Sequence, residues 1–525
     1  MMSMPPPELC DRARQTKDPR FDGLFFTAVR STRIFCRPVC PAPTPKAQNI
    51  VYFPTAAAAA SAGFRPCLRC RPELSPGVRP ADATVRRALD LIAEGYLQHA
   101  SVGALATRVA VSPRHLRRLF MLKLGATPLQ VHQTQRLLLA KQLLTESTLS
   151  VTQVALAAGF SSIRRFNDAF RAGGGRAPTA VRRGEPPRLA DELVLRLNYR
   201  PPLDFPAALA MLRERAVPDV ERVSADSYER TIGRGSGPRW IRITARSGKP
   251  ELCLHAFGVR PAEIPGLVRR VRRMFDLDAD MHSVRMALGQ DASLGALLEQ
   301  RPGLRLVGAW DGFETAVTEI LRTANGGEPT ALWLTREIVM RFGEPIAATP
   351  SGLDRCFPTP ERLAMADLQI VAGLNASTAQ VVRYLSEAIR DETLGFGAGQ
   401  LLDDFVNRCV TLTGMSVTAA EATALRAIGN PDAFPVESHV SSNRRAQALR
   451  ARSSKWRPWR AYALAHLIAS GAMVESPPAR RAASQHSREN TSATGMGDDE
   501  MQQRSRHPPP EASPNSSRTS TELGR

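Results

Sequence analysis

Acidic residues are scarce in this chain: 50 Asp and Glu stand against 70 Lys and Arg, leaving a formal charge of +20 over 525 residues. That deficit favours a polyanionic partner, although charge alone does not separate nucleic acid from a membrane surface. Long apolar runs are also missing. Runs such as Ala56 to Ala60 are far too short to span a bilayer. The first ten residues lack the basic start and apolar core of an export signal, so the thiols are expected to stay reduced and the location to be cytoplasmic and nucleoid-associated. Residues 475–525 contain almost no apolar side chains, which predicts a disordered tail. The chain as a whole is globular in composition, 43% hydrophobic, and too long for one core.

Cysteine is sparse, eight in all, yet four of the eight fall within 35 residues. They stand in Ile34-Phe35-Cys36-Arg37-Pro38-Val39-Cys40 and in Gly63-Phe64-Arg65-Pro66-Cys67-Leu68-Arg69-Cys70. The spacings C-x3-C and C-x2-C suit the two ends of a tetrahedral thiolate zinc site, with disulfide pairing as the rival reading. The other four (Cys10, Cys253, Cys356, Cys409) are scattered and read mostly as buried free thiols. Residues 24–29 and 50–53 read as short strands, and the Ala-rich stretch 55–62 as a helix delivering Cys67 and Cys70. Arg33, Arg37, Arg65, Arg69 and Arg71 crowd the ligands and are expected to present the thiolates to a polyanion. Zinc keeps such thiolates ionised, hence nucleophilic, at neutral pH.

The stretch from Asp18 to Cys40, together with residues 63–70, resembles the N-terminal domain of Ada-type alkylation-response proteins. The resemblance implies that Cys36 is both zinc ligand and irreversible methyl acceptor from a DNA methylphosphotriester, and that Cys40, Cys67 and Cys70 are ligands. The alternative is a purely structural zinc in a transcription regulator. The family's separate acceptor for guanine-O6 methyl groups needs a Pro-Cys-His-Arg motif, which this chain lacks, so that reaction is not expected.

Residues 82–183 read as helices in two similar halves. Val102, Leu105, Ala106 and Val109 begin one, and Ser112-Pro113 restarts the chain as a second helix, with Ser112 as N-cap and Pro113 where its missing N–H costs nothing. Leu105, Val109, Leu116 and Leu119 form a core, leaving Arg114, Arg117 and Arg118 outward. Residues 128–144 form a connecting helix. The pattern returns from Val151 through Gly159 to a basic helix over 162–171 carrying Arg164 and Arg165. Two short helices around a glycine turn predict a helix-turn-helix, whose second helix enters the major groove; an all-α bundle with a solvated basic face is the alternative. The arrangement resembles the AraC-family DNA-binding domain, which implies operator DNA and RNA polymerase as partners. Gly173-Gly174-Gly175, where that family has one glycine, is expected to fray the last helix.

After a Pro- and Arg-containing linker (184–189), strand patterns at 193–197, 240–243 and 252–255 alternate with helices at 205–215 and 263–275, and a mainly helical region follows to about 470. Residues 301–314, 341–345, 426–435 and 455–463 make this half resemble AlkA-like 3-methyladenine DNA glycosylases of the helix-hairpin-helix superfamily. Base excision requires a flipped base and a carboxylate facing the developing positive charge on the sugar. The family's hairpin glycines survive only as Gly414; Ser416 and Thr418 replace the second glycine and the tryptophan. Its aspartate, the last residue of F-P-x-x-D, is Ser438, with Glu437 one residue away. Arg322 and the residues after it stand where the family has Gln-Gln, and Ile468 where it has an aromatic. Either Glu437 has taken over the carboxylate role, or the fold persists without base release. Seven Arg or Lys and no acid in 441–460 read either as a solvated face or as a surface bordering the expected DNA channel.

The fold class expected is therefore multidomain and mainly α with α+β parts. A four-cysteine zinc module occupies 1–80 and a tandem helix-turn-helix 81–184. An α+β domain spans 190–302, a helix-hairpin-helix glycosylase-like domain 303–472, and the tail 473–525.

Overall fold

Two sheets, the first mixed and the second antiparallel, anchor the two halves of the chain. The first has the strand order Ile50–Phe53, Phe26–Val29, Ile34–Cys36, Arg65–Pro66. Its last pair is parallel, with Ile34 opposite Arg65. Phe26, Phe35 and Phe64 fill one face together with Ala59 of the helix Ala56–Ser61, which Thr55 caps by accepting from the Ala58 N–H. This core is small, as a module of this length dictates.

The computed structural model describes residues 4–76, 82–147, 149–182, 192–233, 239–324, 328–347, 349–397, 400–440 and 442–471. The expected linker at 184–189 and the tail from 473 lie outside them, as do residues 325–327 beyond Arg322. All described residues belong to one compact unit, Met1–Glu475.

Two helical layers follow the first sheet. Leu105, Val109, Leu116 and Phe120 form one core, and Val154, Phe160, Phe166 and Phe170 form a second. The connecting helix, Pro128–Glu146, runs between them and is two residues longer than the sequence pattern suggests, its start fixed by a Thr127–Gln130 capping box.

The second sheet has the order Glu192–Asn198, Glu251–Phe257, Trp240–Ala245, Ser227–Thr231, Glu221–Val223. The helices Phe205–Arg213 and Ile264–Met274 lie on its apolar face. The last two strands escaped the sequence reading because Ser227-Tyr228-Glu229-Arg230-Thr231 carries two adjacent charges in place of an apolar alternation. Arg230 is nonetheless buried, because Glu221 (2.9 Å) and Glu314 (3.0 Å) pair with it. The remaining helices, from Gly312–Ala324 to Arg460–Ala469, enclose the largest apolar core and a satellite core around Phe434, Trp456 and Tyr462.

The triple glycine does not end its helix early. Ile163–Gly174 continues through Gly173 and Gly174, and Gly175 closes it in the left-handed conformation (φ +68°), its N–H donating to the Arg171 carbonyl. At Gly173 a β-carbon would sit 2.6 Å from Leu137 Cδ1, so close helix packing accounts for one of the extra glycines.

Candidate functional site

Strand pairing brings the four cysteines together. Cys36 ends the strand Ile34–Cys36, and a tight turn through Arg37-Pro38-Val39 returns Cys40 beside it, the Cys40 N–H donating to the Arg37 carbonyl at 3.2 Å. The parallel strand Arg65–Pro66 then places Cys67 alongside, its N–H donating to the Phe35 carbonyl at 3.0 Å. The four sulfurs lie within 4.8 Å of one another; Cys67 and Cys70 are buried, Cys36 and Cys40 half-buried.

A tetrahedral zinc–thiolate site sets sulfurs about 3.8 Å apart, from Zn–S bonds of about 2.3 Å. The donor set and its span therefore fit zinc, and all four are free thiols, which removes the disulfide reading. Backbone donors complete the fit: the Arg37 N–H reaches Cys70 Sγ at 3.3 Å and the Arg69 N–H reaches Cys67 Sγ at 3.4 Å. Hydrogen bonds from Cys36, Cys40 and Cys70 hold the Cys67 thiol far below its ordinary range, while burial pushes Cys70 up.

The five arginines divide. Arg37 turns inward, buried, with Nε donating to both Asp22 oxygens at 2.9 and 3.1 Å and Nη1 to the Cys70 carbonyl at 3.1 Å. Arg71 is held by Glu73 at 3.0 Å and donates to Thr145 Oγ1 at 2.7 Å. The expectation that these two face a polyanion is therefore wrong: carboxylates built into the module claim them, as burying a guanidinium requires. Arg33, stacked over Phe64 at 4.8 Å, and Arg69 are exposed, and Arg65 is half-buried.

In the helical region, Val102–Arg108 is followed by Pro113–Leu124, and Val151–Ala157 by Ile163–Gly174. Ser101, Ser112, Ser150 and Ser162 each cap one helix through the side-chain oxygen. Arg114, Arg117 and Arg118 lie exposed on the second helix of the first pair, and Arg164 and Arg165 on that of the second. Arg136 fastens the second turn, donating to the carbonyls of Ala158 (2.9 Å) and Gly159 (2.6 Å) and stacking on Phe160 at 3.8 Å.

In the C-terminal half, Gly414 closes Leu402–Thr413 at φ +74° and is exposed. Ser416, expected at the position of the second hairpin glycine, caps Val417–Thr423 by accepting from the Ala419 N–H at 3.2 Å. Ser438 ends the turn Val436–Ser438, and its Oγ accepts from Arg322 Nη2 at 2.9 Å. Arg322 is anchored by Glu319 at 2.6 Å. Burial works against ionising Glu319, yet Arg215, Arg322 and Arg426 hold its carboxyl down to about 2. Glu437 is gripped by Arg450, Nε to Oε1 at 2.9 Å and Nη2 to Oε2 at 2.6 Å, and Arg450 also pairs with Glu421.

Sequence reasoning treated Arg322 only as a lost glutamine; its contact with Ser438 joins residues 116 apart and left no local signal. The basic run 441–460 is also more internal than expected. Arg450, Arg452, Arg457 and Arg460 pair with Glu437, Asp291 and Asp432.

Three family descriptions match: the metal binding domain of Ada over residues 9–73, a helix-turn-helix domain over 105–184 and the AlkA N-terminal domain over 194–311. The chain is 35% identical over 477 residues to the "Probable bifunctional transcriptional activator/DNA repair enzyme AlkA" of Mycobacterium tuberculosis (strain CDC 1551 / Oshkosh), covering 88% of this chain and 95% of that one. The chain belongs to this bifunctional activator and DNA repair family. It is also 31% identical to DNA-3-methyladenine glycosylase 2 of Escherichia coli (strain K12), over 52% of this chain and 95% of that one. A third relative is the "Bifunctional transcriptional activator/DNA repair enzyme Ada" of the same strain, 39% identical over 27% of this chain and 40% of that one. As a family member the chain joins a zinc-binding module and a helix-turn-helix domain to a glycosylase-like half, with zinc as cofactor and DNA as partner. Among the described residues no helix is long and apolar enough to cross a membrane.

Proposed function

We propose that Cys36 takes a methyl group, once per molecule, from a methylphosphotriester in double-stranded DNA, and that this transfer switches on operator binding and transcription of repair genes. A Cys36 sulfur lone pair attacks the methyl carbon; the S–C bond forms as the C–O bond breaks, and the electron pair returns to phosphate oxygen as a phosphodiester anion. Zinc, bound by Cys36, Cys40, Cys67 and Cys70, keeps the sulfurs deprotonated at neutral pH.

The observation carrying this reading is the four-sulfur cluster, all within 4.8 Å, in which Cys67 and Cys70 are buried and Cys36 and Cys40 are half-buried. Backbone N–H groups draw charge from Cys40 (Ala42), Cys67 (Arg69) and Cys70 (Arg37). Cys36 is half-buried rather than sealed, so its sulfur can be approached from outside the module.

Methylation turns that thiolate into a neutral thioether. One negative charge beside DNA disappears, so affinity rises. Residues 1–80 act as sensor and 81–184 as reader, with Arg114, Arg117, Arg118, Arg164 and Arg165 on DNA and RNA polymerase as the activated partner. Residues 190–302 and 303–472 hold DNA through the hairpin at Gly414 without releasing a base. What supports the last point is charge: a guanidinium faces Ser438 where an oxocarbenium-like centre needs a carboxylate.

Labelled-methyl transfer tests the reading. DNA carrying labelled methylphosphotriesters should label the wild-type chain and leave Cys36→Ala unlabelled, and the labelled chain should bind operator more tightly. Label on Cys36→Ala, or equal operator affinity before and after transfer, overturns it.

A further inference from the structure

The segment between Cys67 and Cys70 is gripped from outside its own module. Lys141 of the connecting helix is buried, and its Nζ donates to the Cys67 carbonyl at 2.7 Å and to Glu73 Oε2 at 2.7 Å. The Glu73 side chain is fully sealed and takes Arg71 on its other oxygen at 3.0 Å. Arg71 in turn donates to Thr145 Oγ1 at 2.7 Å, one turn along the same helix. Leu68, one residue past Cys67, packs on the core formed by Ala140, Leu143 and Phe166.

The module's other flank touches the first helix pair. Thr55 Oγ1 donates to the Leu124 carbonyl at 2.7 Å, and Ala57 joins the core of Leu105 and Phe120. The four-cysteine module therefore sits against both helix pairs at once.

We propose that Lys141 is a positioning residue of the metal site, and that it makes zinc loading and docking of the tandem helix-turn-helix one cooperative event. This rests on the reading of the four cysteines as zinc ligands. The physical reason is the cost of a buried ion pair, which is repaid only when geometry is complete. Lys141 and Glu73 meet only if the Cys67–Cys70 turn is in place, and the metal is what orders that turn. Each event then stabilises the other by the same factor. Residues standing behind metal ligands change metal affinity by about 10–100-fold when removed.

The test uses the full-length chain, with zinc affinity measured by competition against a chromophoric chelator and hydrogen exchange followed along Pro128–Glu146. Lys141→Met should weaken zinc binding about tenfold or more, Glu73→Gln should do likewise, and Lys141→Arg should recover part of the loss. Stripping zinc from wild type should speed exchange along the helix, whereas Lys141→Met should exchange fast with or without metal. Should Lys141→Met fail to fold, Glu73→Gln carries the test. Folded variants with zinc affinity within about twofold of wild type overturn the proposal, as does wild-type exchange indifferent to zinc. A wild-type chain that binds no zinc at all removes the metal reading itself, a separately recognisable result.

Discussion

Arg322 donates a hydrogen bond to Ser438 Oγ at 2.9 Å while Glu319 holds it from behind. On the proposed reading, in which Ser438 stands at the position of a base-excision carboxylate, this contact sets a cation where positive charge has to develop on the sugar. Restoring the aspartate alone is therefore insufficient, because Arg322 would pair with it. With 3-methyladenine DNA, base release is expected to be absent from wild type and from Ser438→Asp. It should rise at least about a hundredfold above Ser438→Asp when Arg322→Gln is added, the scale on which a single electrostatic group acts in a transition state. Release by wild type that vanishes in Glu437→Ala would show instead that the neighbouring carboxylate does the chemistry.

Arg450 ties Glu437 to Glu421. Arg450→Met leaves the buried Glu421 carboxylate without its cation and should lower stability by about 1–3 kcal/mol in denaturant unfolding. Glu437→Ala, which leaves the Arg450–Glu421 pair intact, should cost less than half of that. Equal costs for the two variants would contradict the shared-fork arrangement.

Acid should destabilise the chain through its buried histidines. Burial, helped by Arg136, lowers His132 to about 4, and burial, helped by Arg301, lowers His466 to about 4. Both folded values lie below the unfolded value of about 6.5, so the unfolded chain binds the extra protons. Their contribution is complete above about pH 6.5 and is lost as pH falls towards 4. Glu314, which burial raises to about 7, acts in the opposite sense, so the readout is a difference. The drop in Tm between pH 6.5 and 4 should be smaller in His466→Asn than in wild type, and superimposable curves would refute the assignment.

The three glycines after Ala172 should respond differently to alanine. Gly174→Ala meets only the Phe170 ring at 3.7 Å and should stabilise by about 0.5 kcal/mol. Gly175→Ala forces a β-carbon into a left-handed residue at φ +68° and should cost about 1 kcal/mol. Gly173→Ala gains helix propensity but displaces Leu137, and should fall within about 0.5 kcal/mol of neutral. Chemical denaturation of the three variants reads these differences directly.

Much of the molecule was legible from local pattern. Cysteine spacing announced the metal site, because thiolate ligation needs residues close in sequence at each corner pair. Ser112-Pro113 and Gly159 marked the helix-turn-helix ends, because capping and left-handed turns are decided within four residues. Ser438, at the end of Phe434-Pro435-Val436-Glu437-Ser438, was likewise visible as a departure from the motif of the resembled family. What stayed hidden is where the charges went. Arg37 and Arg450 read in sequence as contributions to basic surfaces, yet Asp22 claims the first and Glu421 the second, each from a separate segment. Propensity and spacing act over a few residues, whereas an ion pair forms wherever folding brings opposite charges within about 4 Å and out of water. By itself the sequence determined which modules the chain contains. Only the tertiary structure decided which arginines remain available to DNA, because it alone sets which of them face solvent and which face an acid.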